Sequence, residues 1–227
     1  KGTKADGQIV VDMMNRMGYP QEGYTADVIL KEIAGIVPFF KGVRWDELGN
    51  NGKQWPVKED GTDTRILHTE TFKRGKGRFH SWDYDISPEL DEHAGRFPFI
   101  LTTGRLLEHY NSGTMTRRTP NREIVTEDLL YVHPDDAKAK GLTSGDYARI
   151  FSPRGVTVMK VKVTDVVRPG VVYTTFHFPE AAINFLTSGI GDEFTLTPEY
   201  KIVAVDFEKS LYGIFTRAEC FSDIKKE

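Results

Sequence analysis

Cysteine is nearly absent from this sequence. Cys220 is the single one among 227 residues. No internal disulfide can form, and no Cys-x-x-Cys spacing exists, so this segment cannot supply the four thiolates of an iron–sulfur cluster. A lone cysteine near the C-terminus reads as a small buried hydrophobe. Charge of one sign is scarce as well. Thirty Lys and Arg against 33 Asp and Glu leave a net charge of −3, which argues against a broad nucleic-acid footprint while leaving room for a local basic patch. No apolar run approaches the roughly 20 residues that span a bilayer. There is no signal-like start. Lys1-Gly2-Thr3-Lys4 reads as a point inside a longer chain, and a cytoplasmic location is expected. His68, His80 and His93 are scattered without metal-ligand spacing, and no metal ligand is expected. Internal repeats at solenoid periods are missing too.

What remains is ordinary globular material, 39% hydrophobic and 28% charged, enough for one large domain or one domain with an appendage. In residues 8–18, Ile9, Val10, Met13, Met14 and Met17 recur at helical spacing before Gly18, a natural stop. Such a methionine stripe is expected to be core. Thr25 or Asp27 opens a second helix through Val28, Ile29, Ile33 and Ala34, which ends before Pro38. Residues 41–64 read as a long loop carrying Trp45 and Trp55, and long loops in compact domains usually cover something. Residues 65–82 offer two short strand candidates around the basic turn Lys73 to Arg78, read as a solvated hairpin. A polar linker at 83–96 marks the main boundary. Residues 1–96 are assigned to a helical and loop segment, 97–210 to a second domain, and 211–227 to a C-terminal tail.

From Phe97 the texture changes. Strands are predicted at 99–102, 130–132, 147–152, 156–163, 171–176 and 202–207. A short helix is expected over 133–141, with Asp135 and Asp136 in its first turn and Gly141 past its end. His133 is expected to cap or pack at its start. Several short strands with one small helix among them imply a closed or nearly closed barrel.

The stretch TGRLLEHYNSGTMTRR, from Thr103, has no apolar period. Gly104 lets the backbone turn sharply and approach a ligand. Amides of such a turn can bind an anion or a polar ring edge, and Arg105 can grip phosphate or a heterocycle bidentately. His109, Tyr110, Asn111, Ser112, Thr114 and Thr116 add donors and acceptors. This inventory suits a polar ligand with rings and phosphates rather than a lipid. The alternative is an ordinary polar loop with Arg105 and Glu108 paired at the surface. Composition leaves the two open.

A longer set of blocks carries more. TGRLLEHYNSGTMTRR, then YVHPDDAKAKGLTSGD, SPRG, VRPGVVYTTFHFPEAAINFLT and TPEYK together resemble the C-terminal region of molybdopterin oxidoreductases. They look closest to the catalytic alpha subunits of molybdenum- or tungsten-dependent formate dehydrogenases, with periplasmic-type nitrate reductases as the next relatives. The resemblance implies a mixed α/β, β-rich fold, a double-psi β-barrel preceded by a small helical segment and a long loop. It implies binding of molybdopterin guanine dinucleotide (bis-MGD) carrying molybdenum or tungsten. Thr103, Gly104, Arg105, Leu106, Leu107, Glu108, His109, Tyr110, Asn111 and Ser112 match the loop that lies against the cofactor. Phe176 matches an aromatic near it, Asn184 an asparagine that hydrogen-bonds it, and Lys201, with Tyr200 beside it, a lysine that contacts it.

The catalytic Cys or selenocysteine, the His next to it, the active-site Arg and the iron–sulfur cluster of such an enzyme have no place in this chain. No catalytic residue is therefore assigned here, and the piece alone is expected to be inactive. The implied partners are the remaining domains of the catalytic subunit, iron–sulfur electron-transfer subunits, and formate as substrate of the full enzyme. Neither nucleic acid nor a membrane span is expected. Nitrate in place of formate, or a stand-alone barrel serving as an interaction module, are the competing readings.

Overall fold

A computed structural model describes residues 2–211, which form two compact units, one ending at Ser81 and the other beginning at Trp82. Cys220 and, beyond Leu211, the expected tail lie outside the described residues.

The first unit holds α1 (Asp6–Arg16), α2 (Ala26–Ile36) and two single 3-10 turns. Gly18 stops α1 for the reason expected. It sits at φ +84°, its amide bonds Asn15 O at 3.2 Å, and the Tyr19 amide bonds Met14 O at 2.9 Å, a Schellman closure of the last carbonyls. The methionine stripe is not core. Met13 is 57% and Met17 78% exposed, and Val11 is the one buried residue of α1. An amphipathic period says that a face wants cover; it does not say that this unit supplies the cover. In the loop, Val57 bonds back to Phe39 O at 2.9 Å and Phe39 meets Trp55 edge-on at 5.3 Å. No strand forms at 65–82. A strand needs a ladder partner, and Gly75 at φ +79° bonds Phe72 O in an isolated turn instead.

The second unit opens with α3 (Pro88–His93), inside the segment read as a linker. The rest is a six-stranded closed barrel: β1 (Phe99–Gly104), β2 (Leu129–Val132), β3 (Tyr147–Phe151), β4 (Val156–Val163), β5 (Val171–Thr175) and β6 (Val203–Ser210). The order around it is β1-β5-β2-β4-β3-β6. The β1/β5 and β2/β4 pairs are parallel and the other four antiparallel. This is the double-psi barrel expected. Between β1 and β2 lies α4 (Asn121–Ile124); between β2 and β3 lies α5 (Pro134–Ala139). Alternation along the strands buries Leu101, Leu130, Val132, Ile150, Val172, Val203, Val205 and Phe207 in one core. The helix α5 is bounded by its own chemistry. His133 Nδ1 accepts the Asp135 amide at 3.2 Å, Pro134 is its first residue, and Gly141 at φ +65° closes a second Schellman motif with Leu142 N on Ala137 O at 2.8 Å.

One long-range pair ties α3 to the barrel. Glu89 is 1% exposed. Its carboxylate accepts from both terminal nitrogens of Arg154, at 2.5 and 3.1 Å, and from the Ala204 amide at 3.0 Å. Arg154 also donates to Leu186 O at 3.0 and 3.2 Å. A single guanidinium thus joins the β3–β4 turn, α3 and the β5–β6 connection.

Candidate functional site

Topology gathers the expected residues at one barrel end. Strands β1 and β5 both finish there, with Gly104 and Thr175 as register partners. Strand β2 begins there, where Asp128 accepts the Thr175 hydroxyl. Strand β6 also begins there. Leu101 faces Val203 in an antiparallel ladder, so the chain enters β6 from this end, directly after Lys201 and Ile202. Three connections cover this end: 105–128, 152–155 and 176–202. Every residue expected to contact a ligand lies in the first or third of them or on the strand leading in. The Thr157 hydroxyl on Ala181 O and the Arg154 bonds to Leu186 O seat the third connection over the second.

Arg105 is exposed and braced. Its Nε and one terminal nitrogen donate to Asn111 Oδ1 at 3.1 and 3.0 Å, and its guanidinium lies 5.1 Å from the Phe176 ring centre. The surface pair with Glu108 does not form; Asn111, at φ +49°, takes that place. Among the described residues the other terminal nitrogen of Arg105 has no hydrogen-bond partner. Tyr110, Ser112, Asn184, Tyr200 and Lys201 are exposed, as is Leu107. Among the described residues the amides of Leu107, Glu108, Asn111 and Ser112 donate to no protein acceptor. An ordered turn with unspent N–H groups beside a guanidinium is a donor-rich surface for phosphate or a ring edge.

Two expected contacts are placed elsewhere. Thr103 points into the barrel and is buried. His109 is buried too, and both of its ring nitrogens are engaged. Nε2 donates to Val125 O at 2.9 Å, and Nδ1 accepts from the Thr116 hydroxyl at 3.0 Å, which itself accepts the Tyr110 amide. With Phe178 edge-on at 5.1 Å, His109 shapes the loop from within and offers no nitrogen to a ligand. Glu108 contributes its carbonyl to Asn121 Nδ2 at 2.7 Å. Leu106 turns its side chain into an apolar groove of about 460 Å³ with Thr102, Tyr131 and Tyr173.

The framework under the loop is the part that sequence reasoning missed. Asp128 is buried, and besides the Thr175 hydroxyl it accepts the amides of His177 at 3.2 Å and Phe178 at 2.9 Å. The His177 ring is fully buried against the loop. The one available signal was a lone aspartate directly preceding a strand. Tyr173 donates to Arg105 O at 3.2 Å. Burial pushes its phenol above the ordinary tyrosine range, and neighbouring Tyr131 and Asp128 add to the rise. Beside the loop, a polar cavity of about 350 Å³ lies among Arg117, Arg122, Glu127, Lys160 and Glu180. There Arg117 donates to Glu180 at 2.6 Å, and that hydrogen bond holds the Glu180 carboxyl below its usual range against the opposing effect of burial.

Among the described residues no group of three His, Cys, Asp or Glu could hold a metal ion. No described helix is long and apolar enough to cross a membrane.

The chain is similar to several known proteins. The chain is 36% identical over 210 residues to the F420-dependent formate dehydrogenase subunit alpha of Methanocaldococcus jannaschii, covering 90% of this chain and 31% of that relative. It is 39% identical over 210 residues to the F420-dependent formate dehydrogenase 2 subunit alpha of Methanococcus maripaludis, again 90% of this chain and 31% of the relative. The chain therefore spans about a third of the length of these curated relatives. Among solved structures, acetylene hydratase from Pelobacter acetylenicus superposes with a TM-score of 0.56 at 16% identity, over 92% of this chain and 33% of that one; at that identity the likeness concerns the fold alone. The model of the molydopterin dinucleotide binding domain matches residues 99–204, the stretch from the first barrel strand into the last. Over those residues the chain is similar to the molydopterin dinucleotide binding domain family.

Proposed function

We propose that this chain is the C-terminal, cofactor-holding part of a formate dehydrogenase catalytic subunit. Its barrel end holds molybdopterin guanine dinucleotide, in the bis-MGD form with molybdenum or tungsten. The observation that carries this reading is the collection at that end of Arg105, Asn111, Ser112, Asn184 and Lys201, together with the unspent amides of 107–112. The donor set fits the group. Pyrophosphate offers fixed negative charge to Arg105 and Lys201. A pterin or guanine edge alternates donors and acceptors, which the Asn184 amide can meet in pairs. Gly104 and Gly113 serve the packing of the loop itself, since a Cβ at Gly104 would lie 2.5 Å from the Tyr173 hydroxyl and one at Gly113 2.7 Å from the His177 carbonyl oxygen.

When bound, the cofactor supplies the redox chemistry that takes two electrons from formate. The residues of this chain bind and orient it. Asn111 and Phe176 hold Arg105 in one direction before any ligand arrives, so less ordering remains to be done on binding. The implied partners are the other domains of the subunit and iron–sulfur electron-transfer subunits, in the cytoplasm. The resemblance of the whole block order and the similarity to formate dehydrogenase alpha subunits support formate over nitrate. The test is the intact subunit, purified and assayed with a dye acceptor. Formate oxidation with a guanine nucleotide released on denaturation is expected. Nitrate turnover without formate turnover would remove the substrate assignment, and an active enzyme without guanine nucleotide would remove the cofactor assignment.

A further inference from the structure

One buried side chain beneath the loop is unused by this reading. His177 has no solvent exposure. Its Nε2 faces the Leu106 amide at 3.0 Å and its Nδ1 faces the Asn111 carbonyl at 2.5 Å. A main-chain amide only donates and a carbonyl only accepts. The ring is therefore neutral with its proton on Nδ1, and both nitrogens are used. The two attachment points bracket three of the four unspent amides, those of Leu107, Glu108 and Asn111. The ring is a staple across the loop.

The staple is itself anchored. Asp128 takes the amides of His177 and Phe178 and the Thr175 hydroxyl, so the backbone that carries the ring is fixed to the start of β2. On the loop side the constraint continues outward. Asn111, held by its carbonyl on His177, sits in the left-handed region at φ +49° and points its Oδ1 at Arg105. Gly113 follows at φ +70°, where a Cβ would lie 2.7 Å from the His177 carbonyl oxygen. The same histidine residue thus limits the loop through its ring and through its backbone.

We propose that His177 is a positioning residue for the cofactor loop. Acting through Leu106 and Asn111, it sets the direction of Arg105 without touching the ligand. The proposal rests on the functional reading above only where cofactor is concerned; the staple itself is a property of this chain. The test begins on the full chain with His177→Phe, which keeps a ring but has no polar atom, and His177→Gln, whose amide carries one acceptor and one donor. Loss of two hydrogen bonds of ordinary strength should raise hydrogen exchange across 105–113 by about tenfold or more in the Phe variant, with β1 and β5 still protected. The Gln variant should restore much of the protection. Nitrogen-15 spectra of the unmodified chain should show Nε2 bare and Nδ1 protonated, a readout that needs no variant to fold. Unchanged exchange in His177→Phe, or a proton on Nε2, overturns the proposal. In the intact cofactor-loaded subunit, His177→Phe and Arg105→Ala should both lower the guanine nucleotide retained per subunit. Full retention in Arg105→Ala defeats the cofactor reading of the loop and leaves the staple to be judged by exchange. Loss in Arg105→Ala with full retention in a loosened His177→Phe defeats the positioning role alone.

Discussion

The Glu89–Arg154 pair gives the sharpest stability prediction. Replace Arg154 with Met, which keeps much of the stem and removes the guanidinium. The Glu89 carboxylate, with 0% side-chain exposure, then retains a single protein donor, the Ala204 amide. Stranding a buried charge in this way costs about 3–5 kcal/mol. The Arg154 side chain is itself 29% exposed, so water can partly enter after the change, and the lower end, about 3 kcal/mol, is expected. With a urea dependence of about 2 kcal/mol per molar, the midpoint should fall by about 1.5 M. Exchange of the buried β6 amides of Val203, Val205 and Phe207 under increasing urea reports opening of the barrel itself. The double variant Glu89→Leu/Arg154→Leu should lose less than either single one, because no charge is left buried alone. A midpoint shift under about 0.5 M for Arg154→Met is what an exposed pair would give, and it would refute the claim that this pair holds α3 on the barrel. The functional consequence is local. Arg154 also holds Leu186 O, just beyond Asn184, so the variant should loosen the β5–β6 connection before the barrel opens.

Two further outcomes follow from the loop. Gly113→Ala places a Cβ 2.7 Å from the His177 carbonyl at φ +70°, which should cost about 1–3 kcal/mol locally and speed proteolysis between 105 and 118; an unchanged cleavage rate would contradict the close packing described. Tyr173 has a raised folded-state pKa, so its contribution to stability is complete below the ordinary tyrosine value of about 10 and is lost as pH climbs through the higher folded value. Absorbance titration of the nine tyrosines should show one late ionisation that disappears in Tyr173→Phe, and a late phase that survives that change assigns the shift to the wrong residue.

Local chemistry was readable from the sequence. All six strands, the cap at His133 and the Gly18 and Gly141 stops follow from alternation, fixed dihedrals and short-range hydrogen bonds. Exposure was not readable, because a stripe such as Met13 and Met17 records a preference and not the presence of a neighbour. The framework under the site was hidden for a different reason. Leu106 and His177 are 71 residues apart, Glu89 and Arg154 are 65 apart, and Asp128 and Phe178 are 50 apart. No periodicity or motif spacing encodes such pairings; they exist only once the barrel has closed. Thr103 and His109 illustrate the same limit. Their residue types suit ligand binding, but strand alternation turns Thr103 inward, and Val125 and Thr116 occupy both nitrogens of His109. That left the exposed members of the loop, with Asn184 and Lys201, to face outward.

The central claim is that one end of this barrel receives a pterin nucleotide. Its most direct test is the structure of the intact, cofactor-loaded subunit. The account predicts phosphate or ring atoms within hydrogen-bond distance of Arg105, of the 107–112 amides, and of Asn184 or Lys201. A nucleotide seated on other elements, with those groups still facing water, would contradict it.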